Sequence, residues 1–200
     1  DAAFLQSVNT IINRKGLLEG ASTDGPGFVR SLKEESDRYD CRLPVLIIGA
    51  GGASRAVAYA LARDGAQELT IINRSLQNAQ NLAELLEKSV PKTRCSASVL
   101  NSTNLRKEIL RSGLVVYCLP HDHEAVLQVI KELKANFSKK ILYDLRYSPP
   151  QTAVMKAFND REGTTLNGKR MLLYQAVIAF ELFTGREAPV SIMEKALIVE

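Results

Sequence analysis

The chain has 200 residues and a formal net charge of +4, and 46% of its residues are hydrophobic while 24% are charged. This composition is typical of a globular protein and argues against disorder. No apolar stretch approaches the ~20 residues that cross a bilayer. The basic residues are scattered rather than clustered with aromatic residues between them. We therefore expect neither a membrane nor a nucleic acid as a partner.

Strand and turn signals dominate the start of the chain. Residues 7–21 contain two β-rich runs around Lys15-Gly16 and predict a hairpin. Residues 22–27 combine serine, aspartate, glycine and proline and predict a turn. A helix is then expected to begin near Phe28 and to end before Asp37.

From residue 43 onward, short apolar runs alternate with segments of helical periodicity. Such alternation predicts a parallel sheet covered on both faces, because each crossover helix must pack on the sheet. We expect an α/β fold, a three-layer Rossmann-like doubly wound parallel sheet of about six strands. The apolar runs place strands near residues 45–49, 69–73, 95–99, 114–119 and 140–145. Helical periodicity is found around residues 57–62, 82–86 and 126–133.

The last quarter of the chain predicts helices. Helix signals resume at residues 152–158 after a proline-rich stop. A strongly apolar helix spans Met171 to Phe183 and is closed by Gly185, since glycine is favoured just past a helix end. A final helix is expected over residues 190–198.

The glycine-rich turn after the first apolar strand is the most informative motif. Glycine is needed there because the backbone takes unusual dihedral angles and because a diphosphate must approach the main-chain amides. Ser54 takes the third glycine position, where a small residue allows close packing. The alternative is a glycine turn in an α/β protein that binds no nucleotide. The predicted diphosphate-binding residues are Gly49, Ala50, Gly51, Gly52, Ala53 and Ser54.

The end of the next strand indicates which nicotinamide coenzyme fits. Arg74 lies close to where NAD-binding chains place an acidic residue. A guanidinium can hold a 2′-phosphate with two hydrogen bonds, whereas a carboxylate would repel it. Asn73 and Ser75 can add neutral hydrogen bonds. We therefore predict NADP(H) as the cofactor, with a solvated surface arginine as the alternative for Arg74.

The three cysteines are far apart and form no Cys-x-x-Cys pair, which favours a reducing compartment and a cytoplasmic location. Cys118 precedes His121, Asp122 and His123, a cluster that could hold a metal. A fourth ligand is not evident, and a polar loop after a strand is the simpler interpretation. We therefore expect no metal.

Six segments, in the same order along the chain, resemble motifs of the shikimate dehydrogenase family. They are Ser7–Ile11, Ser22–Gly25, Gly49–Ala56, Asn73–Ser75, Tyr143–Pro150, and the C-terminal run from Gly168 to Gly185 that includes Gln175. The family reduces 3-dehydroshikimate to shikimate with NADPH. The resemblance therefore implies a small-molecule partner, shikimate or 3-dehydroshikimate.

The resemblance also implies roles for individual residues. Asp24 would be the aspartate of a catalytic lysine–aspartate pair. The substrate would be contacted by Asn9, Tyr147 and Gln175, and the nicotinamide would lie near Gly168 and Met171. Without the resemblance, Asp24 is better explained as a turn residue than as a catalytic one, since aspartate caps such turns. An isolated amide such as Gln175 on an apolar helix requires a partner, and Tyr147 beside prolines could simply pack.

The lysine of that pair is the main departure from the family pattern. In the family it lies upstream of the Asn9 segment, in an N-terminal substrate domain, and Lys15 comes too late to be its equivalent. We therefore expect this chain to be the cofactor-binding portion and to be inactive alone. Residues 1–24 would close the substrate domain, residues 25–185 would form the NADP-binding domain, and residues 186–200 would return toward the substrate domain.

Two smaller departures concern the cofactor pocket. Tyr117–Pro120 stands where the family usually has Asn-Ala-Thr-Pro, and Asn78 stands where it often has a second basic residue. Two alternatives stay open on this basis. One is a non-catalytic NADP-binding or regulatory relative, and the other is a quinate dehydrogenase that uses NAD(P). A homodimer is also left open.

Overall fold

The computed structural model describes residues 8–198. The strands are β1 (Thr10–Arg14), β2 (Leu17–Ala21), β3 (Val45–Ile48), β4 (Glu68–Asn73), β5 (Arg94–Val99), β6 (Leu114–Tyr117), β7 (Ile141–Asp144) and β8 (Thr164–Asn167). The helices are α1 (Asp24–Glu35), α2 (Gly52–Arg63), α3 (Leu76–Ser89), α4 (Ser102–Arg111), α5 (Glu124–Glu132), α6 (Ala153–Asn159), α7 (Lys169–Thr184) and α8 (Val190–Ile198).

Strands β3 to β8 form one six-stranded sheet in the order β5-β4-β3-β6-β7-β8, and every pair in it is parallel. Val45 of β3 pairs with Leu69 on one side and with Leu114 on the other. The strand order therefore reverses at β3, which is the doubly wound arrangement. The predicted fold class is confirmed.

Alternate residues of the strands face two separate cores, so the molecule has three layers. Ile47 packs with α1, α2, α3 and α7, while Leu46 and Ile48 pack with α4, α5 and α6. All three side chains are fully buried. Burial of each such side chain stabilises the fold by about 1.5–3 kcal/mol.

Two elements were missed in the sequence. Strand β8 is short and polar, and only Leu166 is buried. Helix α4 lies in a segment rich in charged residues. Of its apolar side chains, Leu105 and Ile109 are buried in the core. Both elements are held by neighbours in space, β8 by its pairing with β7 and α4 by its packing on the sheet.

The prediction of a turn over residues 22–27 is wrong in part, because α1 already begins at Asp24. The glycines serve close helix packing instead. A Cβ on Gly25 would lie 2.6 Å from the carbonyl oxygen of Ala56 in α2, and a Cβ on Gly27 would lie 2.6 Å from the amide nitrogen of Gln175 in α7. Helix α1 is therefore in backbone contact with both neighbours.

The predicted hairpin near the start of the chain and the predicted end of the apolar helix are both found in the structure. Strands β1 and β2 pair as an antiparallel hairpin, although Ser7 of the predicted hairpin lies outside the described residues. Helix α7 ends at Gly185, whose φ of +67° lies in the left-handed region. Among the helices of residues 8–198, none has the length and apolarity needed to cross a bilayer.

Candidate active site

The carboxyl ends of the parallel strands meet at one edge of the sheet, and the reversal of strand order between β3 and β6 opens a crevice there. Gly49 lies at this point with a φ of +117°, which strongly favours glycine. Its N–H donates to the Ile72 carbonyl at 2.8 Å. A Cβ there would lie 3.3 Å from atoms of Cys118, Leu119 and Ser54. The backbone conformation therefore favours glycine at this position, and the tight space around it adds to that preference.

The next two glycines have no such requirement from the chain itself. Gly51 and Gly52 are exposed, and a Cβ on either would meet nothing within 4 Å. They stand with Ala53 at the amino terminus of α2, where unpaired amides and the helix dipole favour an anion. Glycine here keeps the space above the helix terminus open.

Two residues below and beside this turn have packing roles. Ser54 is fully buried, and its Oγ accepts from the Gly51 amide at 3.3 Å. Ala50 is partly buried and packs against the core that faces α1 and α2. The small side chain at position 54 thus permits the close packing that its place in the motif predicts.

Arg74 differs from its two neighbours at the end of β4. Asn73 Nδ2 donates to the Ser75 carbonyl at 3.0 Å, and Ser75 Oγ accepts from the Asn78 amide at 3.4 Å as the N-cap of α3. Arg74 is exposed, and within residues 8–198 its guanidinium has neither an ion pair nor a hydrogen bond. Its charge is therefore available to a ligand.

A pocket of about 320 Å³ lies beside Arg74, a volume within the range of small-molecule sites. Its walls come from the segments that follow β4, β5 and β6. The lining residues are Asn73, Arg74, Leu100, Leu119, Pro120, His121, Asp122 and His123. The two halves of the predicted dinucleotide site thus lie at the same edge of the sheet.

A buried ion pair, which was missed in the sequence, lies at this edge of the sheet. Asp144 is fully buried at the end of β7, and its Oδ2 accepts from Arg146 Nη2 at 2.6 Å and from Thr152 Oγ1 at 2.8 Å. Arg146 Nη2 also donates to Asp122 Oδ1 at 2.8 Å. The guanidinium lies 4.9 Å from the ring centre of Tyr117. One arginine therefore joins the loops that follow β6 and β7.

These contacts shift the pKa values of Arg146 and Asp122. Burial opposes the charged form of Arg146, yet its hydrogen bonds to Asp144 and Asp122 raise its pKa above the ordinary value. Burial also works against the charge of Asp122, but the hydrogen bond and charge of Arg146 outweigh it and lower the pKa of Asp122. The Arg146–Asp122 pair is thus ionic at neutral pH.

A polar cluster brings together three of the four residues predicted to contact the substrate. Asn9 Nδ2 donates to Asp24 Oδ1 at 2.8 Å and to Thr23 Oγ1 at 2.9 Å, and the Thr23 amide donates to Asn9 Oδ1 at 2.9 Å. Thr23 Oγ1 lies 3.5 Å from Gln175 Oε1. Within residues 8–198, no lysine or arginine forms an ion pair with Asp24.

Thr23 was missed in the sequence, although it is almost fully buried at the centre of this cluster. The only signal was its position beside Asp24 just before a helix. Gln175 has the partner that its apolar helix requires, because its Nε2 donates to the Leu172 carbonyl at 3.0 Å. The cluster is assembled from three distant parts of the chain.

The other residues assigned by resemblance form no side-chain hydrogen bond with the cluster within residues 8–198. Tyr147 is 53% exposed in the segment after β7. Gly168 is required for packing, because a Cβ there would overlap the carbonyl oxygen of Leu145. Met171 is buried in the core that faces α1. Their predicted roles toward substrate and nicotinamide stay predictions.

Cys118 lies beneath the glycine turn, and burial raises the pKa of its thiol to about 12. The sulfur is therefore protonated at neutral pH and is a poor nucleophile. Across residues 8–198, no three His, Cys, Asp or Glu side chains are grouped closely enough to hold a metal. Asp122, which the sequence groups with Cys118 and the two histidines, forms an ion pair with Arg146.

Two family models match the chain. The model described as shikimate / quinate 5-dehydrogenase matches residues 33–143, and the model of the shikimate 5'-dehydrogenase C-terminal domain matches residues 168–198. A Methanopyrus kandleri protein named shikimate dehydrogenase (NADP(+)) is 37% identical over 204 residues, which cover 99% of this chain and 69% of the relative.

Solved structures give the same result. The Listeria monocytogenes shikimate 5-dehydrogenase, solved in complex with shikimate and NAD, aligns with a TM-score of 0.84 and 28% identity over 98% of this chain and 69% of its own. The Corynebacterium glutamicum quinate dehydrogenase, in complex with NAD, has a TM-score of 0.84 and 30% identity over the same shares. The resemblance drawn from the motifs is confirmed, and the chain belongs to the shikimate / quinate 5-dehydrogenase family.

Proposed function

We propose that this chain is the NADP(H)-binding portion of an NADP-dependent shikimate dehydrogenase, the enzyme that reduces 3-dehydroshikimate to shikimate. The observation that carries the proposal is the exposed guanidinium of Arg74, which has no partner among residues 8–198 and lies beside a pocket at the carboxyl edge of the sheet. The Methanopyrus kandleri relative, which is named as an NADP(+) enzyme, supports the same cofactor.

The diphosphate would lie on the amides of Gly52 and Ala53 at the start of α2, where neither Gly51 nor Gly52 has a Cβ to obstruct it. The adenosine would enter the pocket next to Arg74, which would hold the 2′-phosphate. A hydrogen bond to a charged group contributes about 1.5–3 kcal/mol. Two such bonds from one guanidinium are enough to select NADP over NAD.

Bound NADPH supplies a hydride to the ketone carbon of the substrate. The side chains of this chain would then orient the substrate. The Asn9 amide donates to one carboxylate oxygen of Asp24 and to the Thr23 hydroxyl, which in turn lies 3.5 Å from Gln175 Oε1. The second carboxylate oxygen accepts no hydrogen bond within residues 8–198 and could accept one from a substrate hydroxyl.

Reduction of a ketone also needs a proton donor within hydrogen-bond reach of the developing alkoxide. The described residues place no lysine in contact with Asp24. In the family pattern the lysine precedes the Asn9 segment. We infer that the 200-residue chain binds NADP(H) but does not complete the reaction.

The relation to a quinate dehydrogenase supports a second candidate. The Corynebacterium glutamicum enzyme was solved with NAD and is as similar in structure as the shikimate enzyme from Listeria monocytogenes. Asn78 also leaves Arg74 without the second basic residue that the family often has. A quinate dehydrogenase that accepts NAD is therefore the alternative function.

Calorimetric titration of NADP⁺ and NAD⁺ tests the cofactor. We expect NADP⁺ to bind more tightly, and we expect Arg74→Ala to weaken NADP⁺ binding by about ten- to a hundredfold with little effect on NAD⁺. Arg94→Ala is the matched control, because Arg94 is also exposed and forms no ion pair within residues 8–198, but lies at the amino end of β5. An unchanged preference in Arg74→Ala would reject the assignment.

An assay of shikimate and quinate oxidation with both cofactors tests the inferred lack of turnover. Binding of NADP⁺ without measurable oxidation of either alcohol is expected. Full-rate oxidation by this chain would show that the proton donor lies within it, whereas turnover of quinate with NAD⁺ would favour the alternative.

A further inference from the structure

Tyr117 is the last residue of β6, and it stands where the family pattern has an asparagine. Its ring is fully buried in the core that faces α4, α5 and α6. The hydroxyl reaches the loop of residues 118–123, which we call the β6 loop. Tyr117 is not among the cofactor-binding residues predicted from the sequence.

One oxygen atom holds the β6 loop at two points. Tyr117 Oη donates to the His121 carbonyl at 2.6 Å and accepts from the His123 amide at 2.8 Å. Both bonds are formed with the main chain, so they fix the course of the loop whatever its side chains do. Burial raises the pKa of Tyr117 to about 12, and the hydroxyl therefore keeps the proton that it donates.

The phenol ring is itself held in place. The guanidinium of Arg146 lies 4.9 Å from the ring centre, and Arg146 is paired with the buried carboxylate of Asp144. The same guanidinium binds Asp122, which belongs to the β6 loop. The loop is thus anchored through its main chain by Tyr117 and through a side chain by Arg146.

The β6 loop supplies most of the pocket beside Arg74. Five of the eight lining residues belong to it, namely Leu119, Pro120, His121, Asp122 and His123. A wall that is ordered before the ligand arrives removes part of the entropy cost of binding. Loosening of this loop should therefore weaken whatever the pocket binds.

We propose that the Tyr117 hydroxyl is a positioning group for the cofactor, which holds the β6 loop in the shape that receives the adenosine half of NADP. Tyr117 acts through the loop and does not touch the nucleotide. This inference rests on the proposed function, because it takes the pocket beside Arg74 as the adenosine site.

The test uses Tyr117→Phe, which keeps the buried ring and removes only the hydroxyl. Calorimetric titrations use NADP⁺ and adenosine 2′,5′-bisphosphate, a fragment that lacks the nicotinamide half. We expect both ligands to bind about tenfold more weakly, because the loss of loop order falls on the adenosine half that they share. A structural defect confined to the nicotinamide side would leave the bisphosphate unaffected.

Tyr39→Phe is the matched control. The Tyr39 hydroxyl is partly buried and donates to Asp64 Oδ2 at 3.0 Å, at the far end of α2 from the glycine turn. This variant should bind both ligands like the wild type. Circular dichroism verifies that each variant is folded at the titration temperature. If Tyr117→Phe does not fold, Asp122→Ala removes the second anchor of the same loop and should weaken both ligands severalfold.

The outcomes separate the two proposals. Wild-type affinity for both ligands in Tyr117→Phe would overturn the positioning role and leave the proposed function intact. An equal loss in Tyr39→Phe would also overturn it, because the effect would then follow from any lost hydroxyl. Failure of the wild type to bind NADP⁺ would overturn the proposed function and this inference with it.

Discussion

Two turns of this protein have the same hydrogen bonds and opposite surroundings. In Asp40-Cys41-Arg42 and in Asp144-Leu145-Arg146, the arginine amide and guanidinium both bind the carboxylate two positions earlier, with Nη2 to Oδ2 distances of 2.5 and 2.6 Å. The Arg42 side chain is 75% exposed, whereas Arg146 is 15% exposed and Asp144 is fully buried.

The comparison separates local geometry from its energetic consequence. Sequence neighbours form the same ring of bonds wherever the turn allows it. An exposed pair contributes little, since water and salt screen it. Within residues 8–198, only the buried pair has further side-chain partners, because Arg146 also binds Asp122 and lies against the Tyr117 ring. Burial therefore makes the Asp144–Arg146 turn part of the candidate site, and the Asp40–Arg42 turn stays a surface feature.

Removal of the buried Asp144–Arg146 ion pair should have the largest effect on stability. Arg146→Met should lower the free energy of unfolding by about 3–5 kcal/mol, because it leaves the Asp144 carboxylate buried without a counter-charge. Arg42→Met should leave the free energy of unfolding nearly unchanged, because water and salt screen that exposed pair. Urea denaturation at neutral pH measures both.

A double variant distinguishes lost charge pairing from lost packing. Adding Asp144→Asn to Arg146→Met removes the uncompensated charge and should restore part of the lost stability. If the double variant is no more stable than Arg146→Met, the loss arises from packing against Tyr117, and the electrostatic explanation is wrong.

A third arginine sharpens the comparison, since Arg74 has no carboxylate beside it within the described residues. Asn73→Asp would give it one. The new carboxylate should weaken NADP⁺ binding about tenfold, because it repels the 2′-phosphate and competes for the guanidinium. NAD⁺ binding should stay unchanged or improve. Gln80→Glu adds the same charge on the exposed surface of α3 and is the control for net charge in the same titrations.

The smallest expected effect is a loss of thermal stability at acidic pH. The pKa of Asp122 is lowered in the folded protein, so its contribution to stability is present above its ordinary value of 3.8 and is lost as the pH falls through the folded value. Between about pH 5 and pH 3, the wild type should therefore lose more thermal stability than Asp122→Asn. Asp37→Asn, at a residue without an ion pair in the described part of the chain, should behave like the wild type. Parallel pH curves for Asp122→Asn and the wild type would contradict this.

The sequence predicts what local rules determine. The strand–glycine–helix motif around Gly49 and the left-handed helix end at Gly185 follow from residue type and spacing. The contacts of Thr23 and Arg146 could not be predicted, because they join segments that are distant in the chain. Strand β8 was missed for the same reason, since its pairing with β7 defines it.

The glycines of α1 have a mechanical consequence. Gly25 and Gly27 leave no side-chain layer between α1 and its neighbours, so α1 cannot slide along α2 or α7 without backbone collision. The first turn of α1 carries Asp24, α2 starts at the glycine turn, and α7 carries Gln175. The candidate diphosphate site and the polar cluster around Asp24 therefore belong to one rigid unit of three helices, and any opening of the crevice must move that unit as a whole.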